Sequence, residues 1–217
     1  MYGSFPCEVT ISEADRSWLS YVPAEDGKGG SFVVAKNTTG AMRGSIVEVT
    51  CGERTYSYAI MQYDVVDLLG IYQGQYISLL DQQTYGLSNV VISGPDASGV
   101  YTIDGLLEGE TGCAIKATYE NNMFSISAGQ KLKAYDEVPA FDIHFGLMNL
   151  SARSYWTSEY TVGLVPVFVE GAGIGLSFED NGGMPNTFAG LSFSLFRGDT
   201  YYDDYEILLR CLLYRPN

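Results

Sequence analysis

The chain has 217 residues, of which 46% are hydrophobic and 18% are charged, so it is long enough for one large or two small domains with a buried core. Its net charge of −14 argues against a nucleic-acid partner, because phosphates require a basic surface, and equally against an anionic membrane surface. No apolar run reaches about 18 residues, so we expect no membrane insertion by this chain.

The chain also contains 25 Gly and 17 Tyr, and it lacks long apolar stripes at helical spacing. Segments rich in tyrosine and β-branched residues, interrupted by glycine and apolar at every second position, are typical of antiparallel strands. The sequence therefore predicts an all-β protein. Separately, we expect no cofactor.

The first segment, residues 1–65, contains five strand-like runs with turns about every 8–12 residues, a spacing that predicts a small β-sandwich. The runs are FPCEVTI (5–11), SWLSYV (17–22), SFVVAK (31–36), RGSIVEV (43–49) and YSYAIMQY (56–63).

A polar turn, NTTG, precedes the fourth strand. Asn37 suits an Asx-turn, and Gly40 suits a positive φ. Arg43 is placed to cover the sandwich edge or to bind carbonyl oxygens at the start of the strand. Trp18, on a central strand, is expected in the core. We interpret these residues as folding residues rather than as a ligand site.

The same residues carry a resemblance to a known family. The series SWL, a glycine-rich turn, FVVAKNTTGAMRGSIVEV and a last strand ending at Gln62 resembles the BACON domain of Bacteroidetes surface proteins; the matching residues are Trp18, Asn37, Gly40, Arg43 and Gln62. The resemblance implies an Ig-like β-sandwich. Because the first strands of that family should precede residue 5, it also implies a domain trimmed at its N-terminus.

The stretch DVVDLL (64–69) is either a short linker or the first strand of a second segment, residues 66–217. About ten strand-like runs follow it with short links, which predicts an antiparallel meander whose closure into a barrel removes its edges. The combination of GIYQGQY (70–76), VYTIDGLL (100–107), a polar turn and IKATYENNMFSISAGQKL (115–132) is similar to the lipocalin-like β-barrel domains that follow BACON domains in Bacteroidetes lipoproteins. The similarity covers residues 70–150 well and the C-terminal third poorly.

That similarity implies a lipoprotein of the cell envelope, on the surface or in the periplasm. The start of the chain, MYGSFPCEV, has neither a basic n-region nor an apolar h-region. Either the protein is cytoplasmic or a targeting segment has been removed, and the position of Met1 directly before a strand favours removal. The expected lipid anchor would lie on that removed segment.

Four cysteines, Cys7, Cys51, Cys113 and Cys211, are too far apart for CxxC-type zinc or redox motifs. Each lies in or beside an apolar strand-like run, where a free cysteine behaves as a small buried hydrophobe. We interpret all four as free thiols, with disulfides as the alternative. The single histidine leaves little material for Cys–His catalysis.

Asp142 and His144 are two residues apart in a strand-like run and should share one face. A catalytic dyad or half of a metal site is conceivable for such a pair. However, the chain has no second histidine and no GxSxG motif. We therefore predict a hydrogen-bonded pair without a catalytic role.

The stretch DTYYDDYE (199–206) is predicted to be a loop. Its carboxylates are weak candidates for Ca²⁺ ligands, but their spacing does not match an EF-hand, and a solvated loop is the alternative. Its tyrosines are suited to stack on a sugar while the carboxylates accept sugar hydroxyls. The metal candidates are Asp199, Asp203 and Asp204, and the sugar candidates are Tyr201 and Tyr202.

The stretch RSYWTSEY (153–160) places Tyr155, Trp156 and Tyr160 in a predicted loop between strands. Three aromatic side chains in one loop are hard to bury on both sides, so this loop is the best single candidate for a recognition surface. The alternative is a plug that packs over one end of the barrel.

These features favour a non-catalytic surface or periplasmic binding module with a carbohydrate ligand. Its expected binding residues are Tyr155, Trp156, Tyr160, Tyr201 and Tyr202. One alternative is a structural spacer or adhesion module. A filled barrel interior would favour this alternative, whereas an apolar or aromatic lumen would favour the binding module. Another is a glycosidase, which requires two carboxyl groups about 5–10 Å apart in a cleft.

Overall fold

A computed structural model describes residues 7–25, 29–135, 140–169 and 173–216. The chain divides into two compact units, Met1–Asp67 and Leu68–Asn217. Within the described residues the helical segments are two 3-10 turns, Glu13–Asp15 and Val65–Leu68, and the second of these occupies the predicted junction. The prediction of an all-β protein is confirmed. No helix in the described part of the chain is long and apolar enough to cross a membrane.

The first unit is a small β-sandwich of two antiparallel sheets, in the orders β1-β4-β5 and β2-β3. Its strands are β1 (Cys7–Thr10), β2 (Leu19–Pro23), β3 (Gly30–Val34), β4 (Arg43–Cys51) and β5 (Arg54–Gln62). Apolar side chains from both sheets meet in one core, which contains Ile11, Trp18, Leu19 and Val47. Trp18 is therefore a core residue, as predicted.

Arg43 joins β4 to two other parts of the sandwich. Its Nη2 donates to the carbonyl oxygen of Ala35 over 2.7 Å, and its Nε donates to Oε1 of Gln62 over 2.8 Å. The Gln62 amide also donates to the Ala35 carbonyl, over 3.1 Å. The guanidinium carbon lies 4.5 Å from the centre of the Trp18 ring. Arg43 thus binds backbone at the strand start, as predicted.

The turn before β4 has the predicted Asx geometry. Oδ1 of Asn37 accepts from the Thr39 N–H over 3.1 Å, and its Nδ2 donates to the Ala41 carbonyl over 2.7 Å. Gly40 has a φ of +73°, in the left-handed region that favours glycine.

The interpretation of all four cysteines as free thiols is wrong for Cys7 and Cys51, which form a disulfide. The two residues are directly opposite each other in the β1–β4 ladder, with their Cα atoms 4.2 Å apart. This pairing joins positions 44 residues apart in sequence, so linear spacing could not show it. Cys113 and Cys211 are free and buried, as predicted.

The described residues of the second unit form twelve strands. They are β6 (Gly70–Ser78), β7 (Thr84–Ser93), β8 (Tyr101–Asp104), β9 (Ile115–Glu120), β10 (Met123–Ser127), β11 (Gln130–Tyr135), β12 (Phe141–Asn149), β13 (Ser154–Tyr155), β14 (Thr161–Val169), β15 (Gly173–Glu179), β16 (Phe188–Arg197) and β17 (Thr200–Tyr214).

Eight of these strands close an antiparallel barrel in the order β6-β7-β8-β9-β10-β14-β15-β17, and β17 pairs with β6 to complete it. The first five follow chain order as a meander. Tyr72 and Phe124, on barrel strands, are 0% exposed. Large side chains buried in this way fill the interior of a barrel of eight strands.

Four further strands form an extension of the barrel sheet. β16, β12 and β11 continue outward from the first half of β17, and β13 pairs with β12. The extension returns to the barrel through Gln130, whose side chain accepts from the Lys116 N–H over 2.7 Å and donates to the Lys116 carbonyl over 2.9 Å. The Gln130 side chain thus makes the two backbone hydrogen bonds to β9 that a neighbouring strand would otherwise make.

The predicted loop at residues 199–206 is a strand for almost all of its length, because β17 begins at Thr200. Eight positions from Thr200 to Leu209 pair with β16, so the backbone of this acidic, tyrosine-rich stretch is held in the sheet. Its β-branched and aromatic content is compatible with a strand, and pairing outweighed the high local charge.

Replacing Arg43 with alanine should lower the free energy of unfolding of the first unit by about 1–2 kcal/mol, because two charged hydrogen bonds are lost. Urea denaturation followed by Trp18 fluorescence, in a Trp156→Phe background, measures the change. Lys36→Ala, an exposed residue next to Ala35, is the matched control for charge. Equal stability of the two variants would contradict the structural role of Arg43.

Unfolding without a reductant should expose two thiols per chain to a thiol reagent, and unfolding with a reductant should expose four. In the folded protein both free thiols should react slowly. Burial raises the pKa of Cys211 to about 12 and also raises the pKa of Cys113, so little thiolate is present at neutral pH. Four reactive thiols in the unreduced unfolded chain would refute the disulfide.

Candidate functional site: an aromatic cleft

An open cleft of about 620 Å³ lies on the surface of the second unit. Four aromatic side chains line it. Tyr155 is the last residue of β13, Trp156 and Tyr160 lie in the segment that follows, and Tyr201 lies on β17. Its charged lining residues are Arg153, Glu159 and Asp204. We call this site the aromatic cleft. Its volume is in the range of small-molecule sites, about 300–1,000 Å³.

Trp156 is held against the face of the extension that carries Ser194 and Phe196. Its Nε1 donates to Oγ of Ser194 over 3.3 Å, and the Phe196 ring meets it edge-on at 5.5 Å between centroids. A Cβ added at Gly146 on β12 would lie 2.5 Å from Cδ1 of Trp156. Only glycine allows the indole to approach the strand this closely.

Tyr201 and Asp204 share one face of β17 although they are three positions apart. The ladder pairs Tyr201 with Phe196 and Asp204 with Ser194, and Tyr202 is the extra residue of a β-bulge between them. Without the bulge, residues three apart would point to opposite faces. The bulge thus places a ring and a carboxylate together, with the Tyr201 ring 5.3 Å from that of Trp156.

A buried serine connects the indole to the carboxylate. Ser194 is 0% exposed, accepts from Trp156, and donates through Oγ to Oδ1 of Asp204 over 3.0 Å. Burial and then the Asp204 carboxylate raise the pKa of Tyr201. A hydrogen bond to Asp204 contributes to this shift, so the Tyr201 hydroxyl stays protonated at neutral pH and donates to the Asp204 carboxylate.

Tyr155 and Tyr160 form the other aromatic pair, with ring centroids 4.4 Å apart. Asn149, which is 1% exposed, donates to the Tyr155 hydroxyl over 3.3 Å and to the Pro185 carbonyl over 3.0 Å. Its Oδ1 accepts from the N–H groups of the turn that follows, Ser151 and Arg153. Sequence reasoning missed Asn149. The feature that could have identified it is an amide side chain at the end of an otherwise apolar strand.

Tyr202, which was predicted at the site, does not line the aromatic cleft. As the bulge residue it lies against Phe141, with ring centroids 4.7 Å apart, and the Arg197 guanidinium carbon is 5.7 Å from its ring. The neighbours of Tyr202 belong to the opposite face of the extension from Tyr201.

The acidic residues of β17 are spread over the sheet rather than gathered around one point. Asp203 pairs with Leu195 and Asp204 with Ser194, so the two carboxylates point to opposite faces. Among residues 7–25, 29–135, 140–169 and 173–216, no group of three or more His, Cys, Asp or Glu side chains is arranged to hold a metal ion. The weak Ca²⁺ candidates Asp199, Asp203 and Asp204 are therefore not gathered into one metal site within these described ranges.

Asp142 and His144 lie on one strand face, as predicted, but Asp142 is paired with Lys131 over 2.6 Å. His144 stacks on Phe196 with centroids 4.4 Å apart, and its Nε2 is buried without a hydrogen-bond partner. Burial lowers the pKa of His144, although Asp142 opposes the shift. His144 therefore serves as a neutral ring beneath the aromatic side chains.

A second cleft, of about 440 Å³, lies beside β9, β10 and β11. Small side chains and two lysines line it, and no aromatic ring contributes to its wall. The aromatic cleft therefore offers the stacking surface that this one lacks.

Comparison of the chain with protein-family models, with curated proteins and with solved structures finds no match. The resemblances of the two segments to BACON and lipocalin-like domains therefore stay predictions that rest on the residues quoted for them.

Gly146→Ala should displace the Trp156 indole, because the new methyl group would overlap the ring. We expect a red-shifted Trp156 emission and weaker near-ultraviolet circular dichroism as the ring leaves Ser194. Gly86→Ala is the matched control, since a Cβ on this other strand glycine meets nothing within 4 Å. Identical spectra for the two variants would show that Gly146 does not hold the indole in place.

Proposed function

We propose that this protein is a non-catalytic carbohydrate-binding module and that the aromatic cleft is its binding site. The observation that carries the proposal is the pair of Trp156 and Tyr201 rings, 5.3 Å apart and tilted by 35°, in a cleft also lined by Asp204. Aromatic faces stack on the C–H groups of a pyranose, and carboxylate oxygens accept hydrogen bonds from its hydroxyls.

The rings are held in place before any ligand arrives. Ser194 and Gly146 position Trp156, and Asn149 positions Tyr155. Fixed side chains lose less conformational entropy on binding, which supports recognition of a polar ligand that gains little from desolvation. We expect dissociation constants from about micromolar to millimolar, as is usual for shallow polar ligands.

The proposed location is the cell envelope, on the surface or in the periplasm. The disulfide between Cys7 and Cys51 supports it, because disulfides persist in oxidising compartments and are rare in the cytosol. The resemblance to Bacteroidetes lipoprotein domains points the same way, with a lipid anchor N-terminal to the sandwich as part of the proposal.

One observation favours a structural spacer as the second candidate. Tyr72 and Phe124 are fully buried among the barrel strands, so the interior supports the fold rather than a lumenal ligand. A spacer, however, gives no reason for a surface cleft with four aromatic residues. The two candidates therefore differ in what the aromatic cleft does.

A glycan array followed by calorimetric titration of the strongest oligosaccharide tests the proposal. Trp156→Ala and Tyr201→Ala should each weaken binding at least about tenfold, since loss of one stacked aromatic residue removes about 1–3 kcal/mol. Tyr202→Ala is the matched control, because it removes the neighbouring tyrosine of the same strand outside the cleft. Its affinity should equal that of the parent protein.

Absence of binding to every glycan would refute the proposal and leave the spacer as the function. Equal losses in Tyr201→Ala and Tyr202→Ala would move the site away from the aromatic cleft. Release of reducing ends from a bound oligosaccharide would instead assign glycosidase activity, with Glu159 and Asp204 as the carboxylates to replace first.

A further inference from the structure

We infer that the aromatic cleft selects neutral sugars and amino sugars and excludes sugars that carry a carboxylate, such as uronic and sialic acids, and that Asp204 is the residue that sets this selectivity. This inference rests on the proposed carbohydrate-binding function and adds the chemical class of the ligand.

The charges that line the cleft oppose an anionic ligand. Two carboxylates, Asp204 and Glu159, face one cation, Arg153. Arg153 is exposed to solvent, and its guanidinium carbon lies 5.2 Å from the centre of the Tyr155 ring. Its attraction for an incoming carboxylate is therefore screened by water and salt.

Asp204 is less screened than Arg153, because it is half-buried and lies beside two aromatic rings. Charges removed from water interact more strongly than exposed ones at the same distance. Repulsion from Asp204 therefore outweighs attraction to Arg153 for a sugar stacked on the surface that Trp156 and Tyr201 form together. The whole-chain charge of −14 acts in the same direction.

The Asp204 carboxylate also has little freedom to turn away from a ligand. Ser194 donates to its Oδ1 over 3.0 Å, and the same hydroxyl accepts from the Trp156 indole over 3.3 Å. The stacking ring and the carboxylate are thus joined through one buried side chain. A sugar that uses the ring meets the carboxylate, which binds a hydroxyl or an ammonium group but repels a second carboxylate.

The test compares oligosaccharides that differ only at one group of each sugar. The set contains β-1,4-linked trimers of glucose, glucosamine and glucuronic acid, and of mannose and mannuronic acid, with sialylated glycans added on the array. We expect every sugar that binds to be a neutral sugar or an amino sugar. Each uronic acid trimer should bind at least about tenfold more weakly than the neutral trimer it is compared with, because its carboxylates and the Asp204 carboxylate repel each other. The discrimination should shrink only partly in 0.5 M salt.

Asp204→Asn keeps an oxygen that accepts from Ser194 while it removes the charge, so it should narrow the difference between neutral and uronic trimers several-fold. Asp203→Asn is the matched control: it changes the net charge equally, on the neighbouring residue of the opposite face, and should leave the difference unchanged. Equal effects of the two variants would overturn the role of Asp204.

The two levels of the proposal fail in different ways. Binding of a uronic or sialylated glycan as tight as that of its neutral counterpart, or tighter, refutes the charge selectivity alone and leaves the carbohydrate site in place. Absence of binding to every neutral, amino and acidic member refutes the carbohydrate site itself.

Discussion

Backbone pairing along β17 is the constraint on which the second unit depends. This strand has 15 residues and carries two sets of neighbours on one side, β16 along its first part and β15 at its end, while β6 pairs with its other side. The pairing with β6 and β15 closes the barrel, and the pairing with β16 holds the extension. A strand that serves both must change direction, and it does so at Arg210, which has a φ of +51° between the two sets of partners. The extension, and with it the wall of the aromatic cleft, exists because β17 continues beyond the barrel.

The bulges in β17 decide which side chains reach the cleft. One extra residue, Tyr202, changes the face on which all preceding residues of the strand lie, so that Tyr201 joins Asp204 beside Trp156. A second extra residue, Tyr205, donates to Glu110 over 2.7 Å and tethers the strand on the far side. Bulges cost ladder hydrogen bonds, and here the loss coincides with a ring and a carboxylate placed at one site. The same chain segment without bulges would present Tyr202 in place of Tyr201.

Small and polar residues beneath the rings hold the site in shape. Gly146 lets the indole lie on the strand, and Ser194 binds both the indole and Asp204. Asn149 bonds three groups of the turn that carries Tyr155 and also the Pro185 carbonyl. None of these three residues offers a surface to a ligand. Each acts through the side chain it positions, and such supporting residues determine how well a site is organised before binding. The cleft is thus supported in two ways. Gly146 gives the indole room by lacking a Cβ, and Ser194 and Asn149 hold their neighbours through buried hydrogen bonds.

What the sequence by itself determined is local. Alternation in GIYQGQY places Tyr72 and Tyr76 on one face of β6, and the structure buries that face. Asn37 with Gly40 predicted the turn before β4, because a turn depends on neighbours within a few residues. Local crowding of large rings also singled out Tyr155, Trp156 and Tyr160 as a predicted recognition surface, and all three line the aromatic cleft. Only the tertiary structure decided that Tyr201 belongs with them and Tyr202 does not, that Cys7 lies opposite Cys51, and that residues 199–206 are largely a strand. Strand register and bulges are set by hydrogen bonds to partners far away in sequence, so periodicity within one segment carries no information about them.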